Sequence, residues 1–335
     1  MSFPPDCALV GTWWAEGLEE LTSDLSALDR GGRWVVVLPF EGKPVCARFG
    51  SWKPWSPPGE APRTAVVVPR ASWRSSLDRA AFAKGVHLVR EAIAAGDVYQ
   101  VNLCRRLSAP VPDGFDVEAF GQALLRAHPA PHGAVLSLPS AGVAVASASP
   151  ERFLRRHGEV VESRPIKGTA TTSDGLTTKD RAENVMIVDL VRNDLGRVCD
   201  FGSVEVPGLW EVESHPGLVH LVSTVRGRLR PGVGWADVLA AAFPPGSVTG
   251  APKLAALEII AALEPVGRSV YTGALGWVDA DRQQADLNVA IRTFWVGDGQ
   301  LHLGVGGGIT WDSTPDGEWE ETELKARRLL QAVSG

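Results

Sequence analysis

Carboxylates occur on two segments that the sequence predicts to be helices. Asp180 and Glu183 are three residues apart in KDRAENVMIVDLVRNDLGR (179–197), so they share one helix face. A second acidic helix, EWEETELKARRLL (318–330), carries Glu321 in its first turn. Surface ion pairs and the helix dipole are sufficient explanations for several of these acids. Two carboxylates from separate helices would also suit an oxygen-preferring ion such as Mg²⁺, whereas the seven scattered histidines do not suggest zinc.

A single lysine lies in the segment SRPIKGTA (163–170). Lysines are mostly solvent-exposed, so an ordinary turn residue is one interpretation of Lys167. The alternative is a lysine whose pKa is lowered by partial burial, which would let its neutral amine act as a nucleophile. Glu151 directly follows a strand of small residues, SASP, and is a second polar residue that a plain core would not favour.

Two glycine-rich segments, GSVTGAPK (246–253) and GVGGGI (304–309), match neither an ATP P-loop nor a dinucleotide-binding turn. Both offer backbone N–H groups to a small anion, one of them at a helix N-terminus. Arg292 lies in an apolar predicted strand, where an arginine is expected to pair with a carboxylate. Tyr271 lies on a neighbouring predicted strand. These patterns predict a pocket for a small dianionic acid, with Mg²⁺ on one carboxylate and Arg292 plus backbone amides on the other.

Helices and hairpin-connected strands must position these residues. Phe82, Val86, Val89 and Ile93 form one apolar stripe, which predicts an amphipathic helix that ends at Gly96. Further helices are predicted at 116–127, 179–195 and 253–263 and from about 318. Strands are predicted at 34–40, 44–50, 64–69, 97–107, 133–138, 142–148, 220–229, 269–278, 285–296 and 300–309. Because strands mostly follow one another without alternating helices, the sequence predicts an α+β layered fold.

Composition excludes several classes of protein. The formal net charge of −6 and the lack of a Lys/Arg-rich run disfavour nucleic-acid binding. No apolar run approaches the roughly 20 residues that span a bilayer, and the first residues do not resemble a signal peptide. The four cysteines form no Cys-x-x-Cys pair, so we expect buried free thiols in a reducing, cytoplasmic setting.

Taken in this order, the segments resemble the chorismate-binding enzyme family. The resemblance covers about residues 75–332, and it is carried by PIKGT, DRAENVMIVDLVRNDLGRV, HLVSTV, FPPGSVTGAPK, IRTF and GGGI followed by EET. It implies an α+β fold of two large packed β-sheets with helices on the outside and an active site in a deep cleft between the sheets. It also implies a catalytic domain at 73–333, preceded by a short β-rich segment at 1–72.

The resemblance implies a role for each polar position. The ligands of Mg²⁺, which would face the ring carboxylate of chorismate, are implied to be Glu183, Glu321 and the nearby Asp180. The groups that bind the pyruvyl carboxylate are implied to be Tyr271, Arg292 and the amides of Gly306 and Gly308. The implied catalytic groups are Lys167, Glu151 and His220, and the other residues lining the substrate are Thr249 and Gln100.

Two positions discriminate among members of this family. Isochorismate and salicylate synthases carry a water-activating lysine where this chain has Gln100, and anthranilate synthases usually have PIAGT where this chain has PIKGT. The resemblance therefore favours component I of aminodeoxychorismate synthase, which makes 4-amino-4-deoxychorismate on the route to 4-aminobenzoate and folate. It implies that Lys167 attacks C2 and that ammonia then attacks C4.

The alternative function is that of anthranilate synthase component I, which converts chorismate to anthranilate and pyruvate. A binding subunit without catalysis is disfavoured, because Glu183, Glu321, Glu151 and Lys167 are all present. In either enzyme, ammonia would come from a glutamine amidotransferase on a separate chain. The sequence lacks an LLES-like motif of tryptophan-regulated relatives, so we do not expect feedback by tryptophan.

Overall fold

The computed structural model describes residues 5–56, 68–215 and 218–333. Most of the strand predicted at 64–69 lies outside these ranges. None of the helices in the described ranges is long and apolar enough to span a bilayer. All four cysteines are buried free thiols, as the sequence predicts.

Six α-helices are present in the described part of the chain. They are α1 (Arg79–Ala95), α2 (Val117–Ala127), α3 (Thr178–Gly196), α4 (Trp235–Ala242), α5 (Lys253–Leu263) and α6 (Pro315–Val333). The predicted amphipathic helix is confirmed as α1. It begins where the Asp78 side chain accepts a hydrogen bond from the Ala81 amide, and it ends at Gly96, whose φ of 85° suits glycine.

The strands are numerous and mostly short. They are β1 (Cys7–Val10), β2 (Trp13–Thr22), β3 (Arg33–Leu38), β4 (Val45–Pro54), β5 (Arg74–Ser75), β6 (Gln100–Pro110), β7 (His132–Leu138), β8 (Val143–Ser149), β9 (Arg152–His157), β10 (Val160–Arg164), β11 (Ile166–Ala170), β12 (Glu205–His215), β13 (Leu218–Arg228), β14 (Gly250–Ala251), β15 (Ala274–Asp279), β16 (Gln284–Val289), β17 (Thr293–Gly297) and β18 (Gln300–Ile309).

Antiparallel pairing joins these strands into one sheet that curls into two halves. The first half runs β6–β18–β17–β8–β7, and the second runs β3–β15–β16–β9–β10–β13. Strands β1, β2 and β4 connect the halves. Buried apolar side chains from both halves pack against each other, among them Leu136 of β7 and Leu275 of β15. The predicted α+β fold of two packed sheets is confirmed.

The helices cover the outer faces of this double layer. Helices α3 and α4 pack on the second half, and α2 and α6 pack on the first. Helices α1 and α5 cover the edge of the first half at β6. Most of the predicted site residues lie on β6 and β18 of one half, on β11 and β13 of the other, and on α3 and α6, which contact β11, β13 and β18.

Two predicted strands are wrong in their extent. The strand predicted at 269–278 begins only at Ala274, so Tyr271 precedes it in a turn. The strand predicted at 285–296 is two strands, β16 and β17, and Arg292 lies between them with a φ of 51°. The break has a physical reason: β16 pairs with β9 in the second half, whereas β17 pairs with β8 in the first half. The chain crosses between the halves at this point.

Candidate active site

Lys167 lies on β11 and its side chain is only partly accessible to solvent. Burial lowers the pKa of Lys167 below its ordinary value, and the negative charges of Glu183 and Glu151 oppose that shift. The strand pairs with β13 through Thr169 and His220, so the lysine is part of a sheet edge and not of a free turn. Its amine is therefore held among carboxylates but loses its proton more readily than a surface lysine does.

Glu151 is a buried carboxyl group, 4% exposed, at the end of β8. Burial raises its pKa to about 7, although a hydrogen bond from Ser247 and the charge of Lys167 act in the opposite direction. Its backbone is fixed by hydrogen bonds with Val289 and Ser149. A carboxyl group with this pKa is about half protonated at neutral pH, which suits a proton donor.

The acidic residues of α3 have different roles. Asp180 forms a capping box with Thr177: its Oδ2 accepts hydrogen bonds of 2.7 Å from both the amide and the hydroxyl of Thr177. Glu183, one turn further on, lies 3.8 Å from the Lys179 ammonium. Burial raises the pKa of Glu183, and the charges of Asp180 and Glu321 add to that shift, whereas Lys167 opposes it. Glu183 is thus close enough to Glu321 of α6 for their charges to interact.

Helix α6 presents two carboxylates, one of which the sequence analysis did not assign. Glu321 pairs with Lys325 at 2.7 Å. Glu318 is buried beside it and accepts a hydrogen bond of 2.5 Å from Ser313. A Cβ added at Gly307 would lie 2.9 Å from the Glu318 carboxylate, so this glycine leaves room for the acid. The spacing of three residues between the two glutamates was the sequence signal for this pair.

The donor set of α3 and α6 fits an oxygen-preferring divalent ion. Burial raises the pKa of Glu318, and the like charge of Glu321 adds to it, so these carboxylates gain from a nearby cation. Within the described ranges, no three His, Cys, Asp or Glu side chains are grouped closely enough to hold a metal on their own. Mg²⁺ is commonly held by one or two protein carboxylates together with water and substrate, and its binding by Glu183, Glu321 and Asp180 stays a prediction.

The glycine run of β18 exposes backbone amides on one side. The carbonyl of Gly306 accepts a hydrogen bond of 2.8 Å from Lys325, so it points away from the paired strand β6. In an antiparallel ladder the N–H and C=O of one residue point to the same side of the strand, and the N–H and C=O of every second residue point to that side too. The amides of Gly306 and Gly308 therefore face the same open side, since β17 pairs with β18 only as far as Leu303.

Gln100 fills the space beside Gly308. A Cβ on Gly308 would lie 1.9 Å from the amide nitrogen of Gln100, so only glycine leaves room for that side chain. Gln100 is 1% exposed, and its Oε1 has no hydrogen-bond partner among the described residues. A buried carbonyl oxygen without a partner is costly, which makes it a candidate acceptor for a ligand.

Tyr271 packs flat on the same glycine run. A Cβ on Gly304 would lie 2.1 Å from the Tyr271 ring, and the Tyr271 hydroxyl is hydrogen-bonded to the Cys104 thiol. Burial raises the pKa of Tyr271 well above its ordinary value, so the hydroxyl stays neutral and can donate or accept a hydrogen bond. The ring is thereby fixed next to the amides of β18.

Arg292 is a further partly enclosed cation, and it lies near Arg328 of helix α6. Burial lowers its pKa, and the charge of Arg328 on α6 adds to that shift. In the part of the chain that the structure describes, no carboxylate lies within ion-pair distance of its guanidinium. The carboxylate partner that the sequence predicts for Arg292 is therefore not among the described residues. A partly buried arginine without a protein carboxylate suits the carboxylate of a ligand.

His220 and Thr249 are more enclosed. His220 is buried on β13, and its Nδ1 lies 2.8 Å from the hydroxyl of Thr169, two residues from Lys167. Thr249 is fully buried, and its hydroxyl donates to the backbone carbonyls of Pro245 and Gly246. The hydroxyl of Thr249 is therefore used within its own turn, and a contact with ligand remains a prediction.

Comparison with known proteins places the chain in a family. Residues 57–331 match the chorismate binding enzymes. An anthranilate synthase component 1 of Haloarcula marismortui is 44% identical over 280 residues, which are 80% of this chain and 56% of that protein. An aminodeoxychorismate synthase component 1 of Klebsiella aerogenes is 41% identical over 291 residues, which are 83% of this chain and 63% of that protein. The chain thus spans less than two thirds of the length of these relatives.

The fold has a counterpart among solved structures. A structure described as a putative 2,3-dihydroxybenzoate-specific isochorismate synthase from Bacillus anthracis superposes with a TM-score of 0.79 at 25% identity. The match covers 98% of this chain and 96% of that one, so it includes the N-terminal strands. The family match extends over most of the sequence, and the fold agrees with it: the chain belongs to the chorismate-binding enzymes.

Proposed function

We propose that the protein aminates chorismate to 4-amino-4-deoxychorismate, as component I of an aminodeoxychorismate synthase. The observation that carries this proposal is the pairing of Lys167, an amine whose pKa is lowered by burial, with Glu151, a carboxyl group with a pKa of about 7. A nucleophilic amine and a proton donor beside it are what a stepwise displacement of a hydroxyl group needs.

The two sides of the site suit the two carboxylates of chorismate. Its ring carboxylate would lie at the acidic ends of α3 and α6, where Glu183 and Glu321 would hold Mg²⁺ and Asp180 supports the helix end. Its pyruvyl carboxylate would meet Arg292, the Tyr271 hydroxyl and the amides of Gly306 and Gly308. When bound, Mg²⁺ neutralises the ring carboxylate and orients the ring.

The chemistry then needs two displacements. The neutral amine of Lys167 forms a bond to C2, both ring double bonds shift, and the C4 hydroxyl leaves as water with a proton from Glu151. Ammonia next forms a bond to C4, the double bonds shift back, and Lys167, still carrying the proton it gained as an ammonium, leaves as a neutral amine. The new ammonium group at C4 then gives its excess proton to Glu151. Chorismate and ammonia are consumed, and 4-amino-4-deoxychorismate and water are formed. His220 and Gln100 would hold the ring and its substituents during both steps.

The ammonia would come from a glutamine amidotransferase on a separate chain. The curated relative from Klebsiella aerogenes is named as component 1 of its enzyme, which implies at least one further component. The product would be a precursor of 4-aminobenzoate and hence of folate, made in the cytoplasm. No nucleic acid or membrane is expected to take part.

Anthranilate synthase component I is the second candidate, because a relative of that name is 44% identical to this chain. The same pocket would bind chorismate, but ammonia would attack C2 directly and pyruvate would be lost. That reaction needs no lysine nucleophile, so the half-buried Lys167 favours the first candidate.

A product assay separates the two candidates. The protein is incubated with chorismate, MgCl₂ and ammonium chloride, and the products are separated by liquid chromatography with mass detection. We expect 4-amino-4-deoxychorismate, which becomes 4-aminobenzoate only after a lyase is added. Fluorescent anthranilate together with released pyruvate, in the absence of a lyase, would show that the proposal is wrong. A reaction without ammonium is the control.

A further inference from the structure

Arg268 is one of the most enclosed charged residues of the protein, 3% exposed, and lies outside the groups assigned to chemistry above. Its Nε and Nη2 donate to the two carboxylate oxygens of Glu264 at 2.8 and 2.6 Å. The face of its guanidinium lies 4.6 Å from the centre of the Phe40 ring. The planar fork of arginine can use several donors at once in this way, which a lysine cannot do.

The remaining donors of Arg268 reach three separate segments. Nη2 donates to the Asn102 carbonyl at 2.6 Å, and Nη1 donates to the Val248 carbonyl at 2.9 Å and to the Thr272 hydroxyl at 3.3 Å. These acceptors belong to β6, to the turn before β14 and to the turn before β15. One side chain therefore fixes the relative positions of three segments that are far apart in the sequence.

Each of these segments carries a residue of the proposed site. Asn102 lies two residues after Gln100 on β6, Val248 precedes Thr249, and Thr272 follows Tyr271. In addition, the amide of Tyr271 donates to the carbonyl of Arg268 at 3.0 Å.

The turn that holds Tyr271 would not be stable by itself. Ser269 and Thr272 have φ angles of 53° and 61°, in the left-handed region that non-glycine residues rarely adopt. Glu41 accepts hydrogen bonds from the amides of Arg268 and Ser269 at 3.0 and 2.9 Å, so the turn is held by side chains from elsewhere in the fold.

Glu264 extends the network to the other end of Tyr271. Its Oε1 also accepts a hydrogen bond of 2.8 Å from the amide of Cys104, whose thiol contacts the Tyr271 hydroxyl. The pair of Arg268 and Glu264 thus determines the backbone position of Tyr271 and the position of its hydroxyl partner.

We propose that Arg268, through Glu264, is the positioning residue that aligns Tyr271 and Gln100 for binding of the pyruvyl end of chorismate. The inference rests on the chorismate-binding part of the proposed function, but not on which product is formed. Arg268 itself does not touch substrate. It sets the geometry of the residues that do.

The test compares Arg268→Lys with Arg33→Lys. Arg33 is the control: it is less enclosed than Arg268 but likewise has a carboxylate partner, Asp279 at 3.3 Å, and aromatic neighbours, the Trp13 and Trp52 rings at 4.4 and 4.3 Å. It contacts no residue of the proposed site in the part of the chain described. Chorismate affinity is measured by calorimetry, and KM and kcat are measured from chorismate consumption.

We expect Arg268→Lys to raise Kd and KM for chorismate about tenfold or more, the scale of one lost charge-assisted hydrogen bond, with a smaller change in kcat. Arg33→Lys should lower the melting temperature without raising KM. If Arg268→Lys lowers the melting temperature while KM stays within about twofold of the wild-type value, Arg268 is only structural and the inference is wrong.

Glu264→Gln provides the second variant if Arg268→Lys does not fold, which circular dichroism would show. It keeps the size of the side chain and one acceptor oxygen but loses the bidentate pairing. It should also raise KM for chorismate, and an unchanged KM in a folded Glu264→Gln protein would overturn the inference. Failure of the proposed function would look different: the product would be anthranilate, while the order of chorismate affinities among the variants would remain.

Discussion

The two sides of the candidate site are built on different principles. On the acidic side, at the ends of α3 and α6, the charges of Glu183 and Glu321 repel each other. Their ion-pair partners Lys179 and Lys325 are about half exposed, and the partly buried Lys167 is a further cation near Glu183. On the opposite side, the proposed groups are the Arg292 guanidinium, the Tyr271 hydroxyl and backbone N–H donors. The Tyr271 ring packs on Gly304, and Arg268 donates hydrogen bonds to three segments that carry or adjoin Tyr271, Gln100 and Thr249.

This difference indicates how each side would work. Clustered carboxylates are stabilised by an added cation, so under the proposed function the acidic side would depend on a bound ion for its binding strength. The opposite side depends on geometry, because its donors are already in place and need no rearrangement. Lys167 lies near Glu151 and near the acidic residues Glu183 and Glu321, and burial shifts the pKa values of both Lys167 and Glu151. Substitutions on the acidic side should therefore change the Mg²⁺ requirement, whereas substitutions on the opposite side should change the affinity for chorismate.

The largest effect is expected for Lys167→Ala, which removes the proposed nucleophile. Amination should fall by about 10⁴-fold, the scale of losing a nucleophile from a covalent mechanism. Chorismate affinity should change little, because both carboxylate sites remain. Rates are measured by product formation and affinity by calorimetry. Activity near that of the wild type would exclude a covalent role for Lys167, and an adduct on the lysine seen by mass spectrometry would support it.

The acidic side is tested by Glu183→Gln and Glu321→Gln. Each variant keeps the size of the side chain but removes a charge, so Mg²⁺ binding should weaken by about 100-fold or more. The half-saturating Mg²⁺ concentration in the amination assay should rise accordingly, while Kd for chorismate in the absence of metal stays nearly constant.

Glu320→Gln is the matched control for the acidic side, since Glu320 is exposed on the same helix. It should leave the Mg²⁺ requirement unchanged. If all three variants shift the Mg²⁺ dependence equally, the helix acts only through its net charge, and the distinction between the two sides fails.

The pKa of Glu151 has a consequence for stability. Its pKa of about 7 in the folded protein exceeds its ordinary value of 4.5, so the folded state binds the proton more tightly than the unfolded state does. The stabilisation is complete below about pH 4.5 and is lost as the pH rises through 7. Relative to Glu151→Gln, the wild-type protein should lose about 2 to 3 kcal/mol of unfolding free energy between pH 5 and pH 8.

Urea denaturation of both proteins at several pH values measures this loss. The control is Glu159→Gln, because Glu159 pairs with Arg228 at the surface and is 70% exposed. Its difference from the wild type should not vary with pH over this range. A Glu151→Gln difference that is equally flat would mean that the carboxyl group is ionised in the folded protein at neutral pH.

Regular patterns made much of the fold predictable. The apolar stripe of Phe82, Val86 and Val89 is buried on α1 as the spacing requires, and Gly96 ends the helix. The strand predicted at 285–296 shows the limit of such patterns. Residues on both sides of Arg292 are apolar because both strands are buried, so hydrophobicity alone does not reveal that the chain passes from one half of the sheet to the other.

The site was predictable only where residue types are unusual for their place. Carboxylates on an apolar helix and an arginine in an apolar run pointed to Glu183 and Arg292. Glu318 was not assigned from the sequence, because its burial depends on packing against Gly307 from a distant strand. The sequence around Arg268 also contains no pattern that indicates its position in the fold. Its partners Asn102 and Val248 are brought near only by the fold, and no spacing in the sequence encodes such contacts.

The smallest effect is expected for Arg292→Lys on the geometric side. The charge is kept, but a lysine loses the planar fork that binds a carboxylate through two hydrogen bonds. KM for chorismate should rise about tenfold, with the Mg²⁺ requirement unchanged, because one charge-assisted hydrogen bond is lost. Arg226→Lys is the control, since Arg226 pairs with Glu205 at the surface. If Arg292→Lys instead raised the half-saturating Mg²⁺ concentration and left KM constant, the two carboxylates of chorismate would be bound in the reverse orientation, with the pyruvyl end at the acidic side.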